Sequence, residues 1–402
     1  MRILILPLLI SLSLSPLVNA NEVHNVDDNQ SITNEKSLLI SDEDGMLDAS
    51  EYLATQYGFM PVPILITEPA VGYGAGLALL FLHDTFASTA ERKSPPSITA
   101  VMGAATENGT WFGGAMHMGY WKEDTIRSTT GAMYMNVNSN FYIRNFPIDM
   151  NINGYVAYQE LMFRLLKSNF FLGANYVFAN NKSTRNNDAN TLIDQAINHL
   201  FEQEFTFAGL AAILQYDTRD STFTPSSGLF AKATLRRFDE NLGGDENFWR
   251  YGAKAFYFIP LSDPVILGLR VEGEAVQASA SDDVPFYANP SINMRGIPAM
   301  RYQGEKMTMA EVQVRWEFIN RWDLVIFGGG GKVFGKENLI INQDLIQSTT
   351  SFQDADFHPA GGIGFRYELA RKFGMWGGMD FATSEDHDLA FYITVGSAWG
   401  AF

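Results

Sequence analysis

From Phe59 to the final residue, Phe402, the sequence runs as short segments of alternating apolar and polar residues, punctuated by Gly, Asn, Asp and Pro. A period of two sends successive side chains to opposite faces of an extended strand, so such a chain must satisfy an oily surface and a wet one together. In TMAEVQVRWEF, residues 308-318, Ala310, Val312, Val314, Trp316 and Phe318 share one face, and Glu311, Gln313, Arg315 and Glu317 share the other. In residues 264-276, Val265, Leu267, Leu269, Val271 and Ala275 alternate with Arg270, Glu272 and Glu274. Ile363, Phe365, Tyr367 and Leu369 alternate with Arg366 and Glu368, and Met133, Met135 and Val137 with Tyr134, Asn136 and Asn138. Half-buried strands of a soluble β-sandwich alternate in the same way. The N-terminus separates the two readings.

Met1 and Arg2 precede the apolar run ILILPLLISLSLSPLV, which ends in Val18-Asn19-Ala20. A short basic start, an apolar stretch and a small-residue site describe a signal peptide, residues 1-20, cut before Asn21. The next most apolar run, residues 71-82, is too short and too rich in glycine for a membrane helix. A mean hydropathy of -0.06 with 13% aromatic residues suits a chain that turns only every second residue to lipid. The net charge of -17 argues against nucleic acid or anionic lipid as a partner. With no cysteine, strand pairing and closure must hold the exported fold.

Residues 21-58 differ from the rest, being polar and acidic with few aromatics, and predict a flexible segment with one short helix. Asp48 can cap that helix with Glu51 reaching back, leaving Tyr52 and Leu53 to pack, with the barrel's periplasmic mouth as the expected place. Asp42, Asp44, Asp48 and Glu51 around Gly45 are spaced like calcium ligands, but Ile40 stands where the first carboxylate belongs, so the capped helix is preferred. Residues 59-402 then read as an all-β fold, a transmembrane antiparallel β-barrel of about 16 strands. Strands are expected near 61-67, 71-83, 97-106, 109-121, 125-138, 150-163, 167-180, 204-217, 228-240, 246-260, 263-277, 306-318, 321-335, 357-369, 371-383 and 387-402. A merged pair near 139-163 would reduce the count to about 14. Residues 278-305, rich in Pro, Asn and Gly, are a long connection.

Three features resemble the BamA/TamA surface-antigen superfamily of outer-membrane barrels. Tyr216-Asp217-Thr218-Arg219-Asp220 with Pro225 and Gly228 is similar to its strand-turn-strand signature, although ordinary turn chemistry also favours these residues. Met294-Arg295-Gly296-Ile297 is similar to the Arg-Gly motif at the tip of its inward-folded sixth loop. The stretch from Glu311 through Phe327 to Phe334 resembles the strand pair on which that tip packs, and Phe402 ends the chain as the family's C-terminal targeting strand does. The resemblance implies a loop folded into the lumen, with Arg295 held by Glu311 and a seam where the first and last strands pair. A guanidinium in a bore needs an acid and further acceptors. Where the family usually carries an Asp in the following strand, this chain has Gly329 within Phe327-Gly328-Gly329-Gly330-Gly331, so the lock must be weaker or redistributed. About 38 residues separate the leader from the barrel, too few for the POTRA modules of members that insert or secrete proteins, or for a fused patatin domain.

No enzyme is expected and no cofactor. The six histidines, at 24, 83, 117, 199, 358 and 387, show no metal or triad spacing, and Ser139-Asn140 with His117 is the best lipase-like grouping the strands offer. The resemblance implies outer-membrane lipids and the barrel assembly machinery, for the chain's own insertion, as partners. Two functions stay open: a residual role in insertion or translocation of outer-membrane proteins or lipids, or a gated channel or surface antigen with no client.

Overall fold

The computed structural model describes residues 11-12, 38-55, 58-83, 96-143, 146-186, 202-278, 284-341, 344-386 and 389-399. Sixteen antiparallel strands form a nearly closed barrel. They are β1 (Gly58–Ile66), β2 (Gly74–Leu82), β3 (Ile98–Thr106), β4 (Trp111–Trp121), β5 (Ile126–Ile143), β6 (Phe146–Arg164), β7 (Phe170–Arg185) and β8 (Glu204–Asp217). There follow β9 (Gly228–Phe238), β10 (Phe248–Ser262), β11 (Val265–Ala278), β12 (Lys306–Ile319), β13 (Trp322–Ile341), β14 (His358–Ala370), β15 (Met375–Ser384) and β16 (Leu389–Val395). Each strand pairs with the next, so backbone groups that hydrocarbon cannot satisfy find partners in the wall. The turns at one end are mostly short, such as 263-264 and 320-321; long connections gather at the other, the arrangement of periplasmic and external ends.

Alternation places lipid and lumen as the residues demand. Val271, Val312, Trp316, Ile326 and Ile363 are exposed on the outer wall, while Arg270, Glu272, Glu311 and Arg366 are buried in the bore. The hairpin β5-β6 inverts this rule. Met135 and Val137 face inward and are buried, and Tyr134, Asn136 and Asn138 face outward, contrary to the oily outer face expected for these methionines. Height explains the inversion. Tyr134, Tyr155 and Trp111 form an aromatic belt, with Trp111 stacked on Tyr134 at 5.5 Å. Beyond it the hairpin leaves the lipid, its outer face becomes an asparagine ladder (Asn151 to Asn138, 2.8 Å), and its inner face becomes a dry core.

That core seals the external end. Phe141 meets Phe286 at 4.7 Å, and beside them Phe207 packs edge to face on Phe238, Phe248 and Tyr287, with Phe238 and Phe248 stacked on each other. Two of these aromatics, Phe286 and Tyr287, belong to the long connection, which therefore folds inward.

Several expectations need correction. The hairpin at 126-164 runs 18 and 19 residues, because residues 139-143 and 146-149 extend its two strands. β13 likewise continues to Ile341 and pairs with Asp344–Thr350 in an arm above the membrane, where the sequence suggested a connection. The last strand stops at Val395, not at the end of the chain: Gly396, at φ +82, turns the backbone inward, and Trp399 is buried against Phe256 and Phe258 at 6.0 and 5.5 Å. Gly268 makes this possible, since a Cβ there would lie 2.6 Å from the Trp399 ring. Phe402 lies outside the described residues, as do His24, His199, His387 and most of residues 1-37. At the seam, a third segment, Ser11–Leu12, lies beside β1 in the pairs Ser11↔Leu65 and Leu12↔Ile64; it falls within the apolar run that the sequence suggests is a signal peptide.

Candidate functional site: the inward loop and its anchor

The loop between β11 and β12 descends into the bore with Arg295 at its tip. Gly296, at φ +93, makes the tip possible: a Cβ there would lie 2.8 Å from the Thr383 carbonyl, and L side chains avoid that backbone region. Its amide donates to the Tyr392 hydroxyl at 3.2 Å. Apolar side chains flank the tip, Ile292, Met294 and Ile297 packing on Met307 and Met309 of β12.

Arg295 uses every face of its guanidinium. Nε and Nη2 donate to Glu311 Oε1 at 3.1 and 2.6 Å, Nη2 also donates to Gln313 at 2.8 Å, and Nη1 donates to Asp380 Oδ2 at 2.8 Å. The plane lies 3.5 Å from the centroid of the Phe327 ring. Such a charge survives burial because hydrogen bonds and an aromatic face replace its water. The acid that the resemblance places at Gly329 stands instead on β15, as Asp380. Gly329 itself faces Glu311 across the β12-β13 pair.

Two further arginines balance the acids. Arg270 donates to Glu311 Oε2 at 3.1 Å, to Glu272 at 3.0 Å and to the Asn293 carbonyl of the loop at 3.0 Å. Arg366 donates to both oxygens of Asp380 at 2.8 and 2.7 Å. Three guanidiniums thus face three carboxylates, and the network closes without net charge.

The loop is also held along its returning arm, between the tip and β12. Arg301 donates to Asp386 at 3.0 Å and lies 4.2 Å from the Tyr142 ring, while the Tyr302 hydroxyl reaches Glu385 at 2.9 Å and its ring stacks on His358 at 3.6 Å. On the seam side, Glu68 in the β1-β2 turn accepts from the Ala299 amide at 3.1 Å. Burial pushes the Glu68 carboxyl up to about 7, with the amides of Ala299 and Ala70 opposing. In the unfolded chain it ionises near 4.5, in the fold only near 7, so folding stability falls as pH rises across that window. Glu68→Gln is expected to flatten this slope and to stabilise the barrel above pH 7 by about 3 kcal/mol. Urea midpoints at pH 5 and pH 8 check it; equal pH sensitivity in both proteins would refute it.

The turn residues read as a signature also cluster, at the periplasmic end. Arg219 forks onto Asp217 at 2.9 and 3.0 Å and lies over the Phe230 ring at 4.6 Å. Asp220 accepts the Ser226 and Ser227 amides at 3.0 and 3.2 Å, Pro225 is buried, and Gly228, at φ +98, lies where a Cβ would meet the Thr218 carbonyl at 2.3 Å. Nearby, residues 38-55 lie against the periplasmic turns. Ser50–Thr55 is helical, with the Ser50 amide donating to Asp48 at 2.8 Å. Asp44 and Asp48, spaced like calcium ligands, converge on Arg321: Nε to Asp44 at 2.6 Å, Nη1 to Asp48 at 3.0 Å. The Arg321 guanidinium holds the Asp44 carboxyl down at about 2. Glu51 pairs with Lys372 at 2.6 Å.

The lipase-like grouping comes apart. Ser139 is buried on the lumen side, whereas His117 lies on the outer wall, and its partner Thr130 is nine residues away along β5, about 30 Å. Sequence reasoning missed Asp380 and Tyr392, and it named Arg270 and Arg366 only as polar-face residues, not as members of this network. Asp380 carried one usable signal, an acid amid the apolar run MWGGMDFAT.

An antiparallel barrel whose long loop returns into the bore on an arginine, with a lipid-facing wall, defines an outer-membrane β-barrel of the kind built around an inward plug. Residues 116–399 match the Omp85 superfamily domain, and the chain belongs to that superfamily. Its fold is similar to BamA from Haemophilus ducreyi lacking POTRA domains 1-3, at TM-score 0.58 and 12% identity over 85% of this chain and 70% of that one. It is also similar to CdiB from Acinetobacter baumannii (TM-score 0.51, 10% identity) and from Escherichia coli (0.52, 9%). There 85% and 84% of this chain align, spanning only 60% and 62% of the CdiB chains. Among curated proteins, no sequence matches.

Proposed function

We propose that this barrel moves client polypeptides or lipids into or across the outer membrane by way of its seam, with the inward loop as the gate and Arg295 as its latch. The observation that carries the reading is the contrast between a stoppered bore and a thin wall. The bore is filled by aromatics at the external end, the Arg295 network in the middle, and Trp399 with the N-terminal segment towards the periplasm. The wall is shortest beside the seam: β1, β2 and β3 have 9 residues each and β16 only 7, against 18 and 19 in β5 and β6. A strand needs about 9-11 residues to cross hydrocarbon, so the bilayer must thin beside β16. An exit at that place costs less than one through the packed bore.

Quantitative proteomics of outer membranes with and without the chain tests the proposal. The expected result is a change in the abundance of other outer-membrane proteins or in leaflet lipid. The rival is a gated channel or surface antigen without clients, which the ion pairs Lys232-Glu160 (3.1 Å) and Arg127-Asp217 (3.4 Å) in the lower bore favour. Unchanged levels together with ion conductance by the purified barrel would decide for the rival.

A further inference from the structure

The outer wall near the seam carries polar groups where lipid contact calls for apolar ones. Phe81 and Val101 are exposed on the outer face, and alternation puts His83 and Thr99 beside them. Trp111 and Trp121 are exposed on β4, which fixes His117 outward as well. These three side chains are hydrogen-bonded in a row across three strands: His83 Nε2 to Thr99 Oγ1 at 2.7 Å, and Thr99 Oγ1 to His117 Nδ1 at 2.9 Å. The two imidazoles are 5.4 Å apart, bracketed by Phe81 at 5.1 Å and Trp121 at 6.2 Å. We infer that His83, Thr99 and His117 form a binding site for the phosphodiester headgroup of a glycerophospholipid in the periplasmic leaflet.

Hydrogen-bond counting supports a ligand. One hydroxyl has a single proton, so it donates to one ring and accepts from the other. Whichever direction the relay takes, two neutral imidazoles then leave one N–H and one ring nitrogen unused, facing the bilayer. The neighbouring polar pair shows what a closed case looks like. Thr130 donates to Gln159 Oε1 at 2.5 Å, and the Gln159 amide donates to the Glu160 carbonyl at 3.0 Å, so that pair satisfies itself.

Depth selects the occupant. His117 lies four residues before Trp121, where β4 ends in the turn at Lys122, so it sits about 10 Å above the periplasmic end of the strand. Ester and phosphate groups reach that level where the short strands beside the seam thin the leaflet, and a phosphate oxygen there accepts the free N–H. The exposed turn adds one cation, Lys122, and one acid, Glu123. That balance, with the net charge of -17, favours a zwitterionic headgroup over an anionic one.

The test uses the full chain in nanodiscs and in detergent, with phosphatidylethanolamine, phosphatidylglycerol or inorganic phosphate as the probe. Native mass spectrometry counts retained lipid for the parent, His117→Leu and Thr99→Val. Both substitutions place apolar groups towards lipid, so the barrel should remain folded, and heat-modifiability checks that independently. Retention of phosphatidylethanolamine is expected to fall at least about tenfold, equivalent to about 1.4 kcal/mol. His83→Ala is expected to weaken retention in the same direction. Equal retention in parent and variants overturns the inference, as does displacement of the lipid by inorganic phosphate alone. Loss of a dimer instead of loss of lipid also overturns it and assigns the row to a protein partner.

Discussion

Arg295→Ala is expected to reduce the folded, heat-modifiable barrel in the outer membrane while transcript level stays unchanged. The guanidinium makes four hydrogen bonds and lies over the Phe327 ring, and both acids it serves have fully buried side chains. Removing one member of a buried ionic network costs about 3-5 kcal/mol, mainly because the partners are left without their counter-charge. Here Glu311 keeps Arg270 and Asp380 keeps Arg366, which places the loss near the lower end. Arg295→Lys should recover part of it, because an ammonium can reach Glu311 or Asp380 but cannot fork between them. Urea titration of the heat-modifiable band reads the effect. An unchanged midpoint and yield in Arg295→Ala would remove the latch from the account.

The architecture was readable because a lipid-facing wall constrains every second residue. Val312, Trp316 and Ile363 have outer positions that only a membrane makes favourable, and the strand starts and stops follow from that period. Where the wall leaves lipid, the constraint reverses, and alternation misplaces Met135, Val137 and the strand extensions at 139-143 and 146-149. Alternation records two unlike faces, but not which face meets which solvent. The site was half legible for a similar reason. Arg295, Gly296 and Glu311 could be named from a local motif and one strand face. Asp380 meets Arg295 only because the closing barrel brings β15 opposite the loop tip, 85 residues away in sequence. The chain's final turn was hidden too, since an alternating C-terminal segment continues on paper past Gly396, where the positive φ ends the strand.

Gly329→Asp restores the acid that the resemblance places in this strand, and it is expected to harm the barrel. A Cβ at Gly329 would lie 2.1 Å from the Ala310 carbonyl oxygen and 2.8 Å from Glu311 Cα, both backbone atoms, so the β12-β13 pair would have to separate. Charge adds to the steric cost. Arg270, Arg295 and Arg366 already balance Glu272, Glu311 and Asp380, and a fourth carboxylate would stand unpaired beside Glu311. Overpacking alone costs about 1-3 kcal/mol, and Gly329→Ala measures that part. Gly329→Asp should lose more than Gly329→Ala, with the difference growing as pH rises and the added acid ionises. Combined with Asp380→Asn, which removes one acid, it should still fail to recover stability, because the backbone clash remains. A urea midpoint in Gly329→Asp/Asp380→Asn above that of Asp380→Asn would show that β13 can host the acid after all. The assignment of Asp380 as the residue that this fold requires would then fall.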